Sequence, residues 1–323
     1  MARGREGLPR ATTRRLSKRA LLLQLGAIDA SDESRSRVLS MENGFRRKID
    51  FHVTSLPAGD ALFQKFNTSP YVLLIHARNK TYGRISEIEG DILPAKQFSS
   101  METSAGRMVE EIALPVYGWT CVASEMHSSN SALDGRKTEP NLLKLATLKS
   151  GPRCLNDEMS ENFADAIVNH TQAWARESHR TEIDFTYGVL YGTEKISNKK
   201  DWHILRNIRE KRPRAITTDP ASRWNCAFQE NGVSVQVTVR IGLDWWEHLG
   251  GPLCFTEVFT ALIRACISPG ATDPITHSYF IADLGQIVSC QSVSQDFNVS
   301  LLQRSQLPWL FLMARHFCDE LVE

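Results

Sequence analysis

Apolar residues recur along the chain with two periods, and they sort it into helices and strands. Val233 to Ile241 (VSVQVTVRI) alternates apolar and polar positions, the period of a half-buried strand. Thr103 to Leu114 repeats at helical spacing through Met108, Val109, Ile112 and Ala113, with Ser104 as a cap and Pro115 as a stop. Asn156 to Trp174 predicts another helix, capped by Asn156 or Asp157, with Met159, Phe163, Ala166, Ile167 and His170 on one face. Trp119 to Ala123, Leu142 to Leu148 and Asp184 to Tyr191 predict strands, while Phe255 to Ile267 and Leu310 to Leu321 predict helices. The run Tyr71 to His76 (YVLLIH) is short enough to be either a strand or a buried helix. This order of elements predicts an α/β fold with a central mixed β-sheet flanked by helices.

Residues 1–40 stand apart. Arg3, Arg5, Arg10, Arg14, Arg15, Lys18 and Arg19 lie in a stretch with little apolar periodicity. The expectation is a disordered basic tail before a single domain over 41–323, with a chain start at Met41 and an arm on DNA phosphates as the alternatives. Ala20 to Ile28 is apolar and follows basic residues, as an export signal would. It is interrupted by Gln24 and followed at once by Asp29, which disfavours export, and no run reaches the roughly 18 apolar residues of a membrane span.

The composition narrows the function only slightly. A hydrophobic share of 42% over 323 residues supports a large core. Thirty-eight basic against 37 acidic residues leave a net charge of +1, so any nucleic-acid partner must be met by charge concentrated in a cleft. The seven cysteines form no C-x-x-C pair, which argues for reduced thiols in a cytoplasmic protein rather than a disulfide framework or a zinc site. Neither G-x-x-x-x-G-K-[ST] nor G-x-S-x-G occurs, which disfavours nucleotide-driven motors and α/β-hydrolases.

Candidate chemistry concentrates in Ser131 to Met159 (SALDGRKTEPNLLKLATLKSGPRCLNDEM). Asp134 precedes a turn and Lys149 ends an apolar strand, so a hairpin brings them to one sheet edge. Phosphodiester hydrolysis uses such a pair: a hard oxygen ligand for Mg²⁺ and a compact cation to orient water. Taken alone, Asp134 is equally an Asp-Gly turn residue and Lys149 a solvated strand end.

Asp134, followed by Leu148-Lys149-Ser150-Gly151-Pro152 and Asn156-Asp157, resembles the active-site segment of type II restriction endonucleases of the PD-(D/E)XK superfamily, in the group with an LKSGP…N signature. Met101 to Glu111 (METSAGRMVEE) resembles the helix that opens that core and supplies a Glu to its metal site. Gly188 to Gly192 and Trp245 to Gly250 fit the later part, so the resemblance spans roughly residues 60 to 265. It implies a restriction-endonuclease-like core, Mg²⁺ as cofactor, double-stranded DNA as substrate, a homodimer on a symmetric site and a cognate DNA methyltransferase as functional partner. In-line attack by water would leave 5′-phosphate ends. Asp134 and Glu110 would bind metal with the Leu148 carbonyl, and Lys149 would orient the attacking water.

The sequence departs from the pattern at one point: Thr147 stands two residues before the lysine, where the family has an acid. Glu110 is the expected substitute, with Glu111, Glu125, Asp157, Glu158 and Glu161 as competitors. The departure keeps open an alternative, a DNA-binding or repair protein on the same core with weakened catalysis. Basic residues Lys199, Lys200, Arg206, Arg209, Lys211, Arg212 and Arg214, interleaved with Trp202 and Ile204, form either a DNA-facing helix or a solvated amphipathic one. Asn156 is either a helix cap or a group near the scissile phosphate.

Overall fold

Strand β4 (Leu142–Lys149) is buried along most of its second half, as a strand covered on both faces must be. In the computed structural model, which describes residues 8, 10–59, 61–62, 70–122, 132–217, 224–274, 277–294, 297 and 299–323, β4 lies at the middle of a six-stranded sheet. The strand order is β2 (Thr120–Cys121), β3 (Gly135–Thr138), β4, β5 (Glu182–Val189), β7 (Val233–Ile241), β6 (Asn225–Glu230). Strands β2, β3 and β4 run antiparallel in sequence, β4, β5 and β7 are parallel, and β6 returns antiparallel on the far edge. The mixed α/β sheet flanked by helices is therefore present.

Two cores sandwich the sheet. Leu143, Leu145, Phe185, Tyr187 and Val237 point to one side, where α5 (Asp157–Ser178) and α6 (Lys200–Lys211) cover them with Ile167, Trp174, Trp202 and Leu205. Ala146 and Leu148 point to the other side, into a cluster built by α1 (Lys18–Asp29), α2 (Asp32–Ser55), α4 (Ile85–Val116), α7 (Leu243–Gly250), α8 (Cys254–Cys266) and α10 (Leu307–Arg315). Gly188 matters at this second face: a Cβ there would lie 2.7 Å from Leu148 Cδ2 and 2.8 Å from Trp245.

The N-terminal expectation is corrected. Within residues 10–40 lie β1, α1 and the first part of α2, and the two helices pack into the core where a disordered tail is expected. Leu21, Leu25 and Ile28 on α1, and Val38, Met41 and Phe45 on α2, are fully buried. Their i, i+4, i+7 and i, i+3, i+7 spacings are helical stripes that the surrounding arginines mask in composition. Arg14 and Arg15 flank and enter a short strand β1 (Arg15–Ser17), which pairs in parallel with β8 (Glu320–Val322). Lys18 is 2% exposed and donates to the Gln286 and Ser289 carbonyls and to Glu323. Residues 1–7 lie outside the described set.

Other boundaries moved too. The helix expected from Thr103 begins at Ile85, where the Glu87 carboxylate accepts from the Arg84 amide at 2.7 Å, and it carries Pro94 and Pro115 inside it. YVLLIH is helical, in α3 (Pro70–Lys80), but exposed rather than buried, with Leu74 73% exposed. The helix expected over Leu310 to Leu321 ends at Arg315, and the chain then turns into β8. A short helix α9 (Leu284–Val288) and a 3₁₀ turn (Arg304–Gln306) complete the elements of the described chain. Among the described residues no single helix is long and apolar enough to cross a membrane; only α7 with α8, bent by 100°, passes jointly, and both pack in the core.

Candidate active site

The β3–β4 hairpin builds the site. Gly135 lies opposite Ala146, and the Asp134 amide, one residue earlier, donates to the Ala146 carbonyl at 2.8 Å. The Asp134 side chain then turns onto the same strand, and its Oδ2 accepts from the Leu148 amide at 2.6 Å. A strand residue aims its N–H and C=O to the same side. The Leu148 carbonyl therefore faces the side from which Asp134 approaches. Lys149 bonds the other way, its carbonyl accepting from the Leu190 amide at 2.8 Å. Its ammonium stands 5.3 Å from the centre of the Phe163 ring on α5, a cation–π contact that holds it near the strand end.

Helix α4 closes the site from a third direction. Gly106 meets the loop after β4 so closely that a Cβ would sit 3.0 Å from Ser150 Cβ. Four residues on, on the same helical face, comes Glu110. Burial pushes its carboxyl up to about 7, the negative charge of Asp134 adds to that rise, and Lys149 and Arg107 oppose it. Glu110, Asp134 and Lys149 thus share one electrostatic environment. Glu111, the competing choice, is held by Lys48 and by Arg107 at 3.2 Å.

The raised Glu110 carboxyl has a pH consequence. Between 4.5 and about 7 the folded chain keeps a proton that the unfolded chain has lost, so stability falls as pH rises through that window. In chelator, Glu110→Gln should melt with the parent below pH 4.5 and above the parent beyond pH 7. Denaturation midpoints at the two ends check this, and an identical offset at both would refute it.

The other expected acids lie elsewhere. Asp157 pairs with Lys200 and, at 3.3 Å, with His203, which holds its carboxyl below the ordinary value. Glu161 faces Lys211 at 3.5 Å, and Glu158 is exposed. Glu125 lies outside the described residues. Thr147 is 2% exposed, and its hydroxyl donates to the Ala132 carbonyl. It ties β4 to the segment before β3 and offers no charge. Thr147→Val should cost about 1–3 kcal/mol by stranding that buried carbonyl, yet leave any divalent-ion dependence unchanged. A variant that keeps its stability but loses metal dependence would contradict the scaffold role.

The expected DNA-contact set touches mainly the scaffold. Lys199 donates to the Glu194 carbonyl and lies 5.7 Å from the Trp224 ring. Lys200 pairs with Asp157, Arg206 with Glu210 at 3.6 Å, and Arg209 donates to the Asn225 carbonyl at 2.8 Å. Lys211 and Arg212 reach Asp165 and Glu230, while Arg214 is exposed. Burial of Trp202, Ile204, Leu205 and Ile208 turns α6 onto the sheet, so Lys200, Arg209 and Lys211 bind neighbouring elements while Arg206 pairs within the helix. Asn156 caps α5, its Oδ1 accepting from the Met159 amide at 2.8 Å.

Sequence reasoning missed three contributors. Phe163 showed only as an apolar position of a helix, although it faces the lysine. Gly106 carried no signal beyond being a glycine inside a helix. Arg107, 81% exposed one turn before Glu111, is a cation beside the acid pair.

The donor set fits a small hard cation. Among the described residues no three His, Cys, Asp or Glu side chains gather as a metal cage. Two carboxylates and a carbonyl match magnesium, which usually takes one or two carboxylates and keeps waters and substrate phosphates for the rest. Compared with known proteins, the chain matches no family model and no curated sequence.

Proposed function

We propose that the chain is a type II restriction endonuclease that hydrolyses both strands of double-stranded DNA with Mg²⁺ at a PD-(D/E)XK-type site. The observation that carries this reading is that Asp134 is bonded to the Leu148 amide, next to Lys149 at the end of β4, with Glu110 in the electrostatic reach of both, on the residues that resemble that family. Helix α4, the β2–β3–β4 meander, α5 and the parallel strand β5 form a unit compatible with the core that the resemblance implies.

Bound there, magnesium would polarise the phosphoryl group and acidify a water. Asp134 has one oxygen committed to the Leu148 amide, which leaves its other oxygen to reach the ion. Glu110 and the Leu148 carbonyl would complete the protein's share of ligands. Lys149, steadied on Phe163, orients the attacking water and stabilises charge on the pentacovalent phosphorus. Arg153, exposed on the loop after Lys149, donates through Nε to the Ile196 carbonyl at 3.1 Å and keeps further donors for a backbone phosphate. A short symmetric target calls for a homodimer, each copy cutting one strand, and a methyltransferase would protect the host's own sites.

The test is incubation of the full chain with phage DNA, with and without Mg²⁺. Discrete, Mg²⁺-dependent fragments are expected. Thr147, scaffold rather than acid, favours one second reading: a DNA-binding or repair protein on the same core with weakened catalysis. Intact DNA that is nonetheless bound would favour that reading, and a smear would argue against site specificity.

A further inference from the structure

Beyond Val189 the chain leaves the sheet as Leu190-Tyr191-Gly192 and runs beside the loop that follows Lys149. Leu190 donates to the Lys149 carbonyl at 2.8 Å. A Cβ on Gly151 would fall 2.7 Å from the Tyr191 hydroxyl oxygen, and one on Gly192 would fall 2.7 Å from Pro152 Cγ. The Tyr191 ring therefore rests on Gly151, two residues past the lysine. Yet it is 43% exposed, because it also lines a cleft of about 350 Å³ with Ile196, Asp283, Arg315, His316 and Asp319.

The lining states what the cleft suits. His316 meets the Tyr191 ring edge-on at 6.4 Å, and Ile196 adds a second exposed apolar side chain at 42%. Arg315 spends one donor on the Cys318 carbonyl at 2.8 Å, of the five that a guanidinium carries. Asp319 accepts from Thr193 and from the Arg14 amide, both at 2.8 Å, while Asp283 is exposed. The two carboxylates are balanced by Arg315 and by Lys195, 4.0 Å from Asp319, so the lining carries no surplus charge for an ion. An aromatic platform, an alkyl side chain and mixed donors and acceptors suit a flat, neutral, polar-edged ring. The volume lies at the lower end of small-ligand pockets.

We propose that this cleft binds the base of one unstacked nucleotide of a bound strand, stacked against Tyr191, with that nucleotide's phosphate outside the cleft. The inference deepens the nucleic-acid reading above and rests on it. Stacking on a tyrosine offsets the cost of drawing a base out of its neighbours, and it tolerates any base because all present a flat face.

The test uses the full chain in chelator, so that nothing is cut, with a single-stranded octanucleotide carrying one 2-aminopurine as the probe. Binding by the parent should quench the probe. Tyr191→Ala should weaken binding about tenfold, Tyr191→Phe should restore it, and Ile196→Arg should block the cleft and remove the quenching. No quenching by the parent, or equal binding and quenching by all four proteins, overturns the proposal. Discrete cutting of duplex DNA alongside such equal binding would sink the cleft alone. Quenching that follows the variants, with duplex left uncut in Mg²⁺, would sink the nuclease reading and leave the cleft standing.

Discussion

Lys149→Ala should lose cleavage by about 10²–10³-fold or more, the cost of removing one preorganised charge from developing negative oxygen. The ammonium ends β4 and leans on Phe163 at 5.3 Å, so truncation removes a half-buried side chain at a strand end and leaves the sheet's hydrogen bonds intact. Asp134→Asn is the sharper companion. An asparagine carbonyl can still accept from the Leu148 amide, so the hairpin survives while the charge for the cation is gone. Both variants should keep the parent's denaturation midpoint to within about 1 kcal/mol, since neither strands a buried group. Single-turnover cleavage at saturating DNA reads the chemical step. Parent-like rates in either folded variant would mean that the convergence at β4 has no part in hydrolysis.

Arg37→Ala should be the most damaging single change for stability, costing about 3–5 kcal/mol. Glu257 on α8 is fully buried, and Arg37 on α2 meets it with two nitrogens, at 2.7 and 2.8 Å. The Tyr117 hydroxyl donates to the same carboxylate at 2.6 Å, and burial with the adjacent acid pushes that phenol far up, so it stays protonated. Without the guanidinium a carboxylate is left in the core with one neutral donor, and breaking such a pair costs far more than replacing it whole. The double change Arg37→Met with Glu257→Leu should therefore recover much of the loss, which equilibrium denaturation in urea would show. A loss below about 1 kcal/mol for Arg37→Ala would mean that the pair carries no such weight. The network also bears on the site: Tyr117 is the C-cap of α4, the helix that carries Glu110, so a loosened anchor there should lower cleavage along with stability.

Much of the sheet was legible because its periodicity is local. The alternation in Val233 to Ile241 matches β7 residue for residue, and the apolar run at Leu142 to Leu148 is β4 less its last residue. The helix from Asn156 appeared with its cap, since capping and helical spacing are both written within a few residues. The α1 stripe and the start of α2 are equally local, but the arginines among them give residues 1–40 the charge density of a tail. The YVLLIH run showed the limit of periodicity, since burial is decided by what packs against an element.

By itself, the sequence determined that the chain has a mixed α/β core and that an aspartate and a lysine flank one hairpin strand. Both are legible because strand alternation, turns and caps are chosen by neighbouring residues. Only the tertiary structure decided where the candidate acids lie, by docking α4 on Ser150 through Gly106 so that Glu110 comes within the electrostatic reach of Asp134 and Lys149 while Glu111 turns to Lys48. It likewise decided that the basic strip on α6 binds its neighbours, and that Tyr191 borders a cleft. Such choices depend on which distant surfaces meet, and long-range packing leaves no periodic trace in the chain.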